Sequence, residues 1–394
     1  MNTNFAYFPN QRLLFLGCKD FFKSEKSPLE EIQLFIDKHQ GKYIFTALGY
    51  DLKNQIENIT SNHIDVFQFP DLLLFVPEQV IKIEGEDIVV LEGKKEISEF
   101  GRTVINKIIK SSAIDFPSAS LIPFIDKPTY IQRVKEVQSE IQYGNCYELN
   151  FCQQYVAKNV EPFDTFGVFQ HLYQKTKSPF SVYFKFQEWE VMCLSPERFL
   201  QRIGNKLISQ PIKGTIRRGV NELEDLQLQN QLKTDIKERS ENIMIVDLVR
   251  NDLSKIATKG SVHVDELCAI YQFETLHHMI STISCEIKSD TDFIDCIKSL
   301  FPMGSMTGAP KKKVMQLIEK YEVFKRGLYS GSIGMILPNG DFDLNVVIRS
   351  LFYNNSNKSL SCAVGSAITK KADPEKEFDE CGVKVGKLIQ YFQS

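Results

Sequence analysis

The sequence predicts a layered α/β protein whose antiparallel or mixed sheets are covered by helices. Segments 180–186, 191–203 and 206–213 alternate apolar and polar residues and follow one another through short turns, which is typical of antiparallel meanders. Two such meanders are each followed by a helical stretch. A Rossmann fold would instead alternate single strands with helices, so that class is excluded.

Apolar runs and turn residues predict the individual elements. Before residue 111, apolar runs predict buried strands at 13–16, 72–76 and 87–91. Thr129 is expected to cap a helix that reaches Gln142 and ends at Gly144. Turn residues at 204–205 and 338–341 predict hairpins. The other predicted elements are helical residues within 222–256, strands within 271–287, a helix at 309–321, strands at 331–337, 342–352 and 359–369, and a helix from Asp373 to Tyr391.

Length and composition bound the domain organisation. The chain has 394 residues and is 43% hydrophobic, which suits two domains or one elaborate domain with a substantial core. A segment rich in Ser, Ala and Pro at 111–120 marks a boundary. We therefore divide the chain into a variable N-terminal region, 1–118, that packs on the core, and a domain at 119–394 that carries the candidate functional residues.

Charge and cysteine content exclude several classes of protein. The net charge of -3 gives no electrostatic reason to expect nucleic acid or an anionic membrane as a partner. No apolar run has the length of a membrane span, and the N-terminus lacks the pattern of a signal peptide. The nine cysteines include no C-x-x-C pair and are expected to be reduced thiols. These features predict a cytoplasmic protein.

Two pairs of glutamates have the spacing of neighbours on one helix face. Glu238 and Glu241 lie three residues apart, and so do Glu377 and Glu380. A solvated acidic face explains each pair. Alternatively, both pairs converge on one hard cation such as Mg²⁺, which prefers carboxylate oxygens and water. Spacing alone leaves both readings open.

Lys213 and the two adjacent histidines are candidates for acid–base or nucleophilic chemistry. Lys213 ends an alternating strand and precedes a glycine, so its amine can reach into a site, although an exposed lysine at a turn has the same pattern. A nucleophilic lysine needs desolvation or a nearby cation to lose its proton near neutral pH. His277 and His278 lie in a predicted strand, so at most one of them faces any given site.

Three further segments have groups suited to an anionic ligand. The loop 301–311 is rich in Gly, Ser and Thr and leads into a helix, so its amides and hydroxyls can hold a carboxylate or phosphate. Arg349 lies within a predicted apolar strand and needs an anionic partner there. Gly365 leaves backbone amides open to a ligand.

Taken together, these segments resemble the chorismate-utilising enzymes. The resemblance runs from about Pro123 to the C-terminus and rests on the order and spacing of five motifs. These are Ser195-Pro-Glu-Arg-Phe199, Pro211-Ile-Lys-Gly-Thr215, residues 241–252, the loop 301–311 and residues 373–380. It implies a two-layer α/β sandwich of the chorismate-binding type, with the site in a cleft between sheets.

The resemblance also implies a role for the acidic helices. Glu241 and Glu380 resemble Mg²⁺ ligands, and Glu238 and Glu377 resemble the supporting carboxylates that hold metal-bound water. The metal would bind the ring carboxylate of chorismate. Lys384, one helical turn beyond Glu380, also matches a site position.

The remaining site residues follow from the same resemblance. Arg349 and Tyr329 match positions that hold the enolpyruvyl carboxylate, helped by amides near Gly365. His278 matches the histidine beside the leaving C4 hydroxyl, and Glu197 matches an acid–base carboxylate. The matched motifs add three expected substrate-binding residues: Thr215, Thr307 and Gly308.

Lys213 decides which branch of the family the chain resembles. Aminodeoxychorismate synthases typically carry lysine at this position, and anthranilate synthases carry alanine. In the lysine-bearing enzymes the amine is thought to attack C2 as the C4 hydroxyl leaves, and ammonia then adds at C4 and expels the lysine. The resemblance therefore implies formation of 4-amino-4-deoxychorismate, the precursor of p-aminobenzoate in folate biosynthesis.

The sequence departs from the family pattern at two positions, and two other functions are alternatives to this one. Isochorismate and salicylate synthases carry a water-activating lysine where this chain has Glu148, and the aminating enzymes often carry glutamine there. Ser366 stands where glycine or alanine is common. No glutaminase nucleophile elbow is present, so the resemblance implies ammonia from a glutamine amidotransferase subunit or from solution. The alternatives are anthranilate synthase component I and a catalytically inactive binding subunit.

Overall fold

The computed structural model describes residues 3–24, 29–110, 114 and 116–390. Its helices are α1 (Leu29–Lys38), α2 (Lys53–Glu57), α3 (Glu99–Ile109), α4 (Lys127–Gln142), α5 (Thr165–Thr176), α6 (Glu222–Thr234), α7 (Ile236–Ser254), α8 (Phe293–Leu300), α9 (Lys311–Tyr321) and α10 (Pro374–Ile389). The strands of the N-terminal third are β1 (Phe5–Phe8), β2 (Leu13–Leu16), β3 (Asp20–Ser24), β4 (Ile44–Leu48), β5 (Leu72–Val76), β6 (Gln79–Glu84) and β7 (Asp87–Glu92).

The rest of the chain contributes the strands that carry the site. They are β8 (Ile122–Pro123), β9 (Glu148–Ala157), β10 (Phe180–Phe186), β11 (Trp189–Ser195), β12 (Arg198–Ile203), β13 (Lys206–Gln210), β14 (Ile212–Arg217), β15 (His263–Gln272), β16 (Leu276–Glu286), β17 (Gly308–Ala309), β18 (Ser332–Ile336), β19 (Phe342–Asn345), β20 (Ser350–Asn354) and β21 (Ser359–Ile368).

These strands form two antiparallel sheets. The larger sheet has 11 strands in the order β17-β9-β21-β20-β11-β10-β1-β2-β6-β7, with β8 beside β9. The smaller sheet has 10 strands in the order β14-β16-β13-β12-β19-β18-β4-β5-β3, with β15 beside β16. Strands from the first 118 residues therefore lie in both sheets. The division at 118/119 stays a prediction, and part of the segment 111–120 lies outside the described residues.

Apolar packing places one core between the sheets and another under the helices. Phe45 of the smaller sheet packs against Phe184 of the larger one, with ring centroids 5.0 Å apart. On the other face of the larger sheet, Tyr130 of α4 packs against Phe151 of β9 at 5.2 Å. Because the central strands of the larger sheet show one face to each core, β9, β11 and β20 are buried along their whole length. The predicted layered α/β class, with antiparallel sheets covered by helices, is confirmed.

The helix limits mostly follow the predicted signals, with one correction. Asp126, not Thr129, caps α4, because its carboxylate accepts a hydrogen bond from the Thr129 amide. Asp373 caps α10 as predicted, accepting from the amides of Glu375 and Lys376. The predicted end of this last helix at Tyr391 lies outside the described residues. The long helical stretch breaks at Asp235, which ends α6 and caps α7.

Two strand predictions also need correction. The segment 87–91, predicted to be buried, forms the exposed edge strand β7, because among the described strands it pairs with β6 alone. Residues 263–270, which form most of β15, were not predicted as a strand. These residues are mostly exposed and carry little apolar periodicity.

The chain changes sheets at two points that the pattern predicted as continuous strands. Between β11 and β12 it leaves the larger sheet for the smaller one, at Pro196-Glu197. Between β19 and β20 it returns to the larger sheet, and Arg349 there has a left-handed φ of 52°. Arg349 therefore lies outside any strand, contrary to prediction. Both crossings place polar side chains between the layers.

All nine cysteines lie within the described residues and are free thiols, as expected. None of the described helices combines the length and the apolar character that crossing a membrane requires.

Candidate active site

Lys213 lies near the start of β14, where the strand is irregular. Its ammonium donates a hydrogen bond to Glu148 Oε1 at 2.8 Å, and the two side chains are 12% and 2% exposed. Glu148 begins β9 in the other sheet, so this ion pair bridges the two layers. The next residue, Gly214, has a φ of 91° and forms part of a register shift against β16, which turns the chain at the amine.

The surroundings of Lys213 favour its protonated form. Burial by itself lowers the pKa of this amine, but the nearby carboxylates of Glu148, Glu241 and Glu197 outweigh burial and hold the pKa above its ordinary value. The sequence-based expectation was that a nucleophilic lysine here needs a lowered pKa. With the described residues alone around it, Lys213 is therefore protonated. Its ammonium must lose a proton before the nitrogen can attack.

Glu197 lies at the first sheet crossing, between β11 and β12. It is buried, and Ser305 of the loop 301–311 donates a hydrogen bond to its Oε1 at 2.7 Å. Burial raises the pKa of Glu197 to about 7, although Ser305, Lys213 and Arg349 each lower it. A carboxyl group with a pKa near neutrality can both give and take a proton, as an acid–base residue requires.

The two histidines of β16 point in opposite directions, as predicted. His278 is buried, and its Nδ1 lies 2.8 Å from the hydroxyl of Thr215 on β14. Burial, together with Arg349 and His277, lowers the pKa of His278 to about 3, so its imidazole is neutral. His277 instead lies 2.9 Å from Asp225 of α6, on the other face of the sheet.

Arg349 at the second crossing is a cation that forms no ion pair with the described residues. Its side chain makes no hydrogen bond or ion pair with the residues that the structure describes. Burial lowers the pKa of Arg349, and only the more distant Glu197 raises it. An uncompensated guanidinium between the layers is suited to binding a carboxylate. Tyr329, the second residue expected to bind this carboxylate, is buried just before the start of β18.

Glycines bring the loop 301–311 and β21 close to their neighbours. Gly308 has a φ of 137°, and a Cβ there would lie 2.1 Å from the Glu148 carbonyl oxygen. A Cβ at Gly365 would lie 2.6 Å from the Asn150 side chain. The Thr307 hydroxyl donates to the Met303 carbonyl at 3.1 Å, so it closes the loop on itself. The substrate-binding roles of Thr307, Gly308 and Gly365 stay predictions.

The four glutamates lie on α7 and α10 as the spacing predicts. The pKa of Glu238 is raised by burial and then by repulsion from Asp235 and Glu380, which indicates that the two helices bring their carboxylates to the same region. Glu377 accepts a hydrogen bond from Ser366 of β21. Glu380 pairs with Lys384 at 2.8 Å, and Lys384 also donates to the Gly365 carbonyl at 3.1 Å.

The chemistry of this acidic region fits a hard cation. Glu241 Oε1 is buried without a hydrogen-bond donor among the described residues, and the Lys237 ammonium 3.8 Å away is too distant for one. Burial raises the pKa of Glu241 to about 7, and Glu148 and Glu238 add to the effect. A buried carboxylate oxygen with no partner suits Mg²⁺. Within the described part of the chain, however, no three His, Cys, Asp or Glu side chains are already grouped for a metal ion.

Two residues of the site were not among the predicted site residues. Glu148 was noted only as a departure from the family pattern, and Ser305 only as part of a loop. Their partners, Lys213 and Glu197, lie 65 and 108 residues away along the chain, so no local spacing reveals either pair. The available signal was that Glu148 is the one charged residue of the buried strand β9.

The site thus joins a buried amine, two buried carboxyl groups, a neutral histidine, an unpaired guanidinium and an acidic surface between two sheets. Comparison with known proteins identifies the class. The profile of the chorismate binding enzyme family matches residues 5–390, and the chain belongs to that family. The match extends further toward the N-terminus than the motifs that carry the resemblance.

The named relatives include both anthranilate-type and aminodeoxychorismate synthases. The chain is 32% identical to an anthranilate synthase component I-like protein of Synechocystis sp., covering 87% of this chain and 71% of the relative. It is 35% identical to the chloroplastic aminodeoxychorismate synthase of Arabidopsis thaliana, covering 93% of this chain but 42% of that longer protein. It is 29% identical to aminodeoxychorismate synthase component 1 of Klebsiella aerogenes, covering 88% and 76%.

Solved structures share the fold. Anthranilate synthase component I of Streptococcus pneumoniae superposes with a TM-score of 0.82 at 22% identity, covering 96% of this chain and 91% of that one. The menaquinone-specific isochorismate synthase of Escherichia coli superposes with a TM-score of 0.77 at 18% identity, covering 99% and 89%. Both establish the fold, and neither decides between the reactions of the family.

Proposed function

We propose that the chain is component I of an aminodeoxychorismate synthase, which aminates chorismate at C4. The observation that carries the proposal is the Lys213 amine, held between the sheets by a 2.8 Å hydrogen bond to Glu148 and near the acid–base candidate Glu197. Relatives named aminodeoxychorismate synthase at 29–35% identity support it. The product would be 4-amino-4-deoxychorismate, the precursor of p-aminobenzoate in folate biosynthesis.

Chorismate has two carboxylates, and the site would bind one through Arg349 and the other through a bound metal ion. Arg349, with no counterion among the described residues, would bind the enolpyruvyl carboxylate beside Tyr329 and the Gly365 amides. Glu241 and Glu380, supported by Glu238 and Glu377, would hold Mg²⁺. When bound, the ion would bind the ring carboxylate. Thr215, Thr307, Gly308 and Lys384 complete the proposed contacts.

The chain's own residues supply the proton transfers. Glu197, with a pKa of about 7, would give a proton to the C4 hydroxyl as it leaves. Neutral His278, fixed by Thr215, would hydrogen-bond to that hydroxyl. The Lys213 amine would bond to C2, and ammonia would then add at C4 and expel the amine. Covalent catalysis of this kind divides one difficult displacement into two easier ones.

We also propose that ammonia comes from a glutamine amidotransferase. The bacterial relatives are named component 1, and the plant relative is more than twice as long as the aligned region. A partner subunit, or a further domain in longer proteins, would supply the ammonia. The purified chain should accordingly use ammonium salts and not glutamine.

The proposal is tested by identifying the product. We expect the purified chain, incubated with chorismate, ammonium and Mg²⁺, to form 4-amino-4-deoxychorismate, identified by mass spectrometry and NMR. Excess chelator should abolish its formation. A C2-aminated product or anthranilate would instead assign the chain to anthranilate synthesis, and binding of chorismate without turnover would indicate an inactive subunit.

A further inference from the structure

The ion pair between Lys213 and Glu148 joins the two sheets at the amine that the proposed function makes the nucleophile. Glu148 is 1% exposed, and its backbone is fixed between strands. β17 pairs with β9 at this residue, and the close approach of Gly308 leaves no room for a side chain there. The carboxylate is therefore held in a defined position, aimed at the amine across the cleft.

Among the titratable groups around Lys213, Glu148 alone makes a hydrogen bond with its ammonium in the described structure. Glu148 faces it from β9, Glu197 from the first crossing, Glu238 and Glu241 from α7, and neutral His278 lies on the neighbouring strand β16. Glu197 already accepts from Ser305, and Glu238 and Glu241 form no ion pair with Lys213. A proton leaving Nζ therefore has a direct path to Glu148.

The second oxygen of Glu148 adds an independent observation. Glu148 Oε2 is buried and receives no hydrogen bond from the described residues. A carboxylate with an unsatisfied buried oxygen is costly as an anion, and protonation relieves that cost. Glu148 is therefore the described acceptor that already contacts Nζ and has a second oxygen that no other described residue occupies.

We propose that Glu148 positions the Lys213 amine and takes its proton before the amine bonds to C2, an inference that rests on the proposed C4 amination. The Nζ–H bond breaks, the O–H bond of Glu148 forms, and the nitrogen keeps the electron pair that then bonds to carbon. When ammonia expels the amine, the nitrogen recovers the electron pair of the C–N bond and takes the proton back from Glu148. Glu148 and Lys213 are unchanged over the whole cycle.

The test separates proton transfer from a merely structural role by comparing Glu148→Gln with Glu148→Asp. Glutamine keeps a hydrogen-bond acceptor beside Lys213 but removes the proton acceptor, and aspartate keeps the carboxylate on a shorter stem. Glu190→Gln is the matched control, because Glu190 is also buried and pairs with Lys185 at 2.7 Å, on the larger sheet. Folding of each variant is checked by thermal unfolding.

The first readout does not depend on turnover. Trace acylation with acetic anhydride over a range of pH, mapped to the Lys213 peptide by mass spectrometry, reports how much of the amine is unprotonated. In Glu148→Gln the acylation profile of Lys213 should move to lower pH, because the carboxylate that stabilises the ammonium is gone. Glu148→Asp and Glu190→Gln should keep the wild-type profile. An unchanged profile in Glu148→Gln would show that Glu148 does not hold the proton of Lys213.

The second readout is turnover of chorismate with ammonium and Mg²⁺. Loss of the proton acceptor should lower kcat of Glu148→Gln about 100-fold, with a smaller loss for Glu148→Asp and none for Glu190→Gln. Wild-type kcat in Glu148→Gln would overturn the inference while leaving the C4 amination intact. A C2-aminated product from the wild-type chain would overturn the proposed function itself. If Glu148→Gln does not fold, the test depends on Glu148→Asp. Full activity of Glu148→Asp, together with an acylation profile of Lys213 that differs from the wild-type profile, would contradict the inference.

Discussion

Arg326 and Arg349 are two arginines of low exposure with opposite surroundings. Arg326 pairs with Glu322 through Nη2 at 2.6 Å and Nε at 2.9 Å, and it donates to the carbonyls of Met306 and Asn150. Its guanidinium also packs over the Tyr50 ring at 4.5 Å. Arg349 has none of these contacts among the described residues. Burial lowers its pKa, whereas the pKa of Arg326 is raised because its partners outweigh burial.

This difference distinguishes an arginine that stabilises the fold from an arginine that is suited to binding substrate. The partners of Arg326 connect the loop 301–311 to β9, so this arginine supports the scaffold on which Glu197 and Glu148 stand. Arg349 has a strained left-handed backbone at a crossing between sheets and an unsatisfied side chain, which costs free energy in the protein alone. A carboxylate of the substrate would offset that cost. The same reasoning applies to the unpaired oxygen of Glu241.

The largest effect in this comparison is expected for Arg326→Met. Removing the guanidinium leaves Glu322 buried without a counterion, which typically costs about 3–5 kcal/mol. We expect the free energy of unfolding to fall by that amount, measured by urea denaturation. A loss below about 1 kcal/mol would show that Arg326 is not the structural partner described here.

Arg349→Gln should instead lower activity while leaving stability intact. We expect kcat/KM for chorismate to fall about 100- to 1,000-fold, because two charge-assisted hydrogen bonds to the substrate are lost. The free energy of unfolding should stay unchanged or rise slightly, since an unpaired charge is removed. Activity near that of the wild type, or a stability loss like that of Arg326→Met, would remove the distinction between the two arginines.

A smaller effect on the free energy of unfolding is expected from the titration of Glu197. Its pKa is raised from 4.5 to about 7, so between these values the folded protein binds more protons than the unfolded chain. The free energy of unfolding should therefore fall as pH rises through that window, by up to about 3 kcal/mol at about 1.4 kcal/mol per pKa unit. Glu197→Gln should remove this contribution. Denaturation curves of both proteins at either end of the window check it, and equal slopes would contradict the assignment.

Sequence patterns predicted regular elements better than the places where the chain departs from them. Alternation located β10, β13 and β21, and Asp373 located the start of α10, because these signals are local. The same alternation continued through Glu197 and Arg349, where the chain changes sheets, since a crossing leaves no periodic mark. The exposure of β7 depends on its lying at a sheet edge, which is a property of topology rather than of the strand's own residues.

The sequence indicated several residues of the candidate site, but not Glu148 and Ser305 or the contacts that these two residues make. Resemblance placed Lys213, Glu197, His278 and Arg349 together, and the structure brings them between the two sheets. It did not give the pair between Lys213 and Glu148, because that contact joins strands of different sheets. The sequence also gave no sign that Glu148 would help to raise the pKa of Lys213, because the two residues lie on strands that are distant along the chain.

The central claim is that the Lys213 amine forms a covalent bond with the substrate, and trapping that bond tests it most directly. A chorismate-like inhibitor with a leaving group at C4 should add its mass to the peptide that contains Lys213, as read by mass spectrometry after proteolysis. Lys213→Ala should remove the adduct and shift any remaining amination from C4 to C2. Adduct formation on Lys384, or none on any lysine in an enzyme that still aminates C4, would contradict the claim.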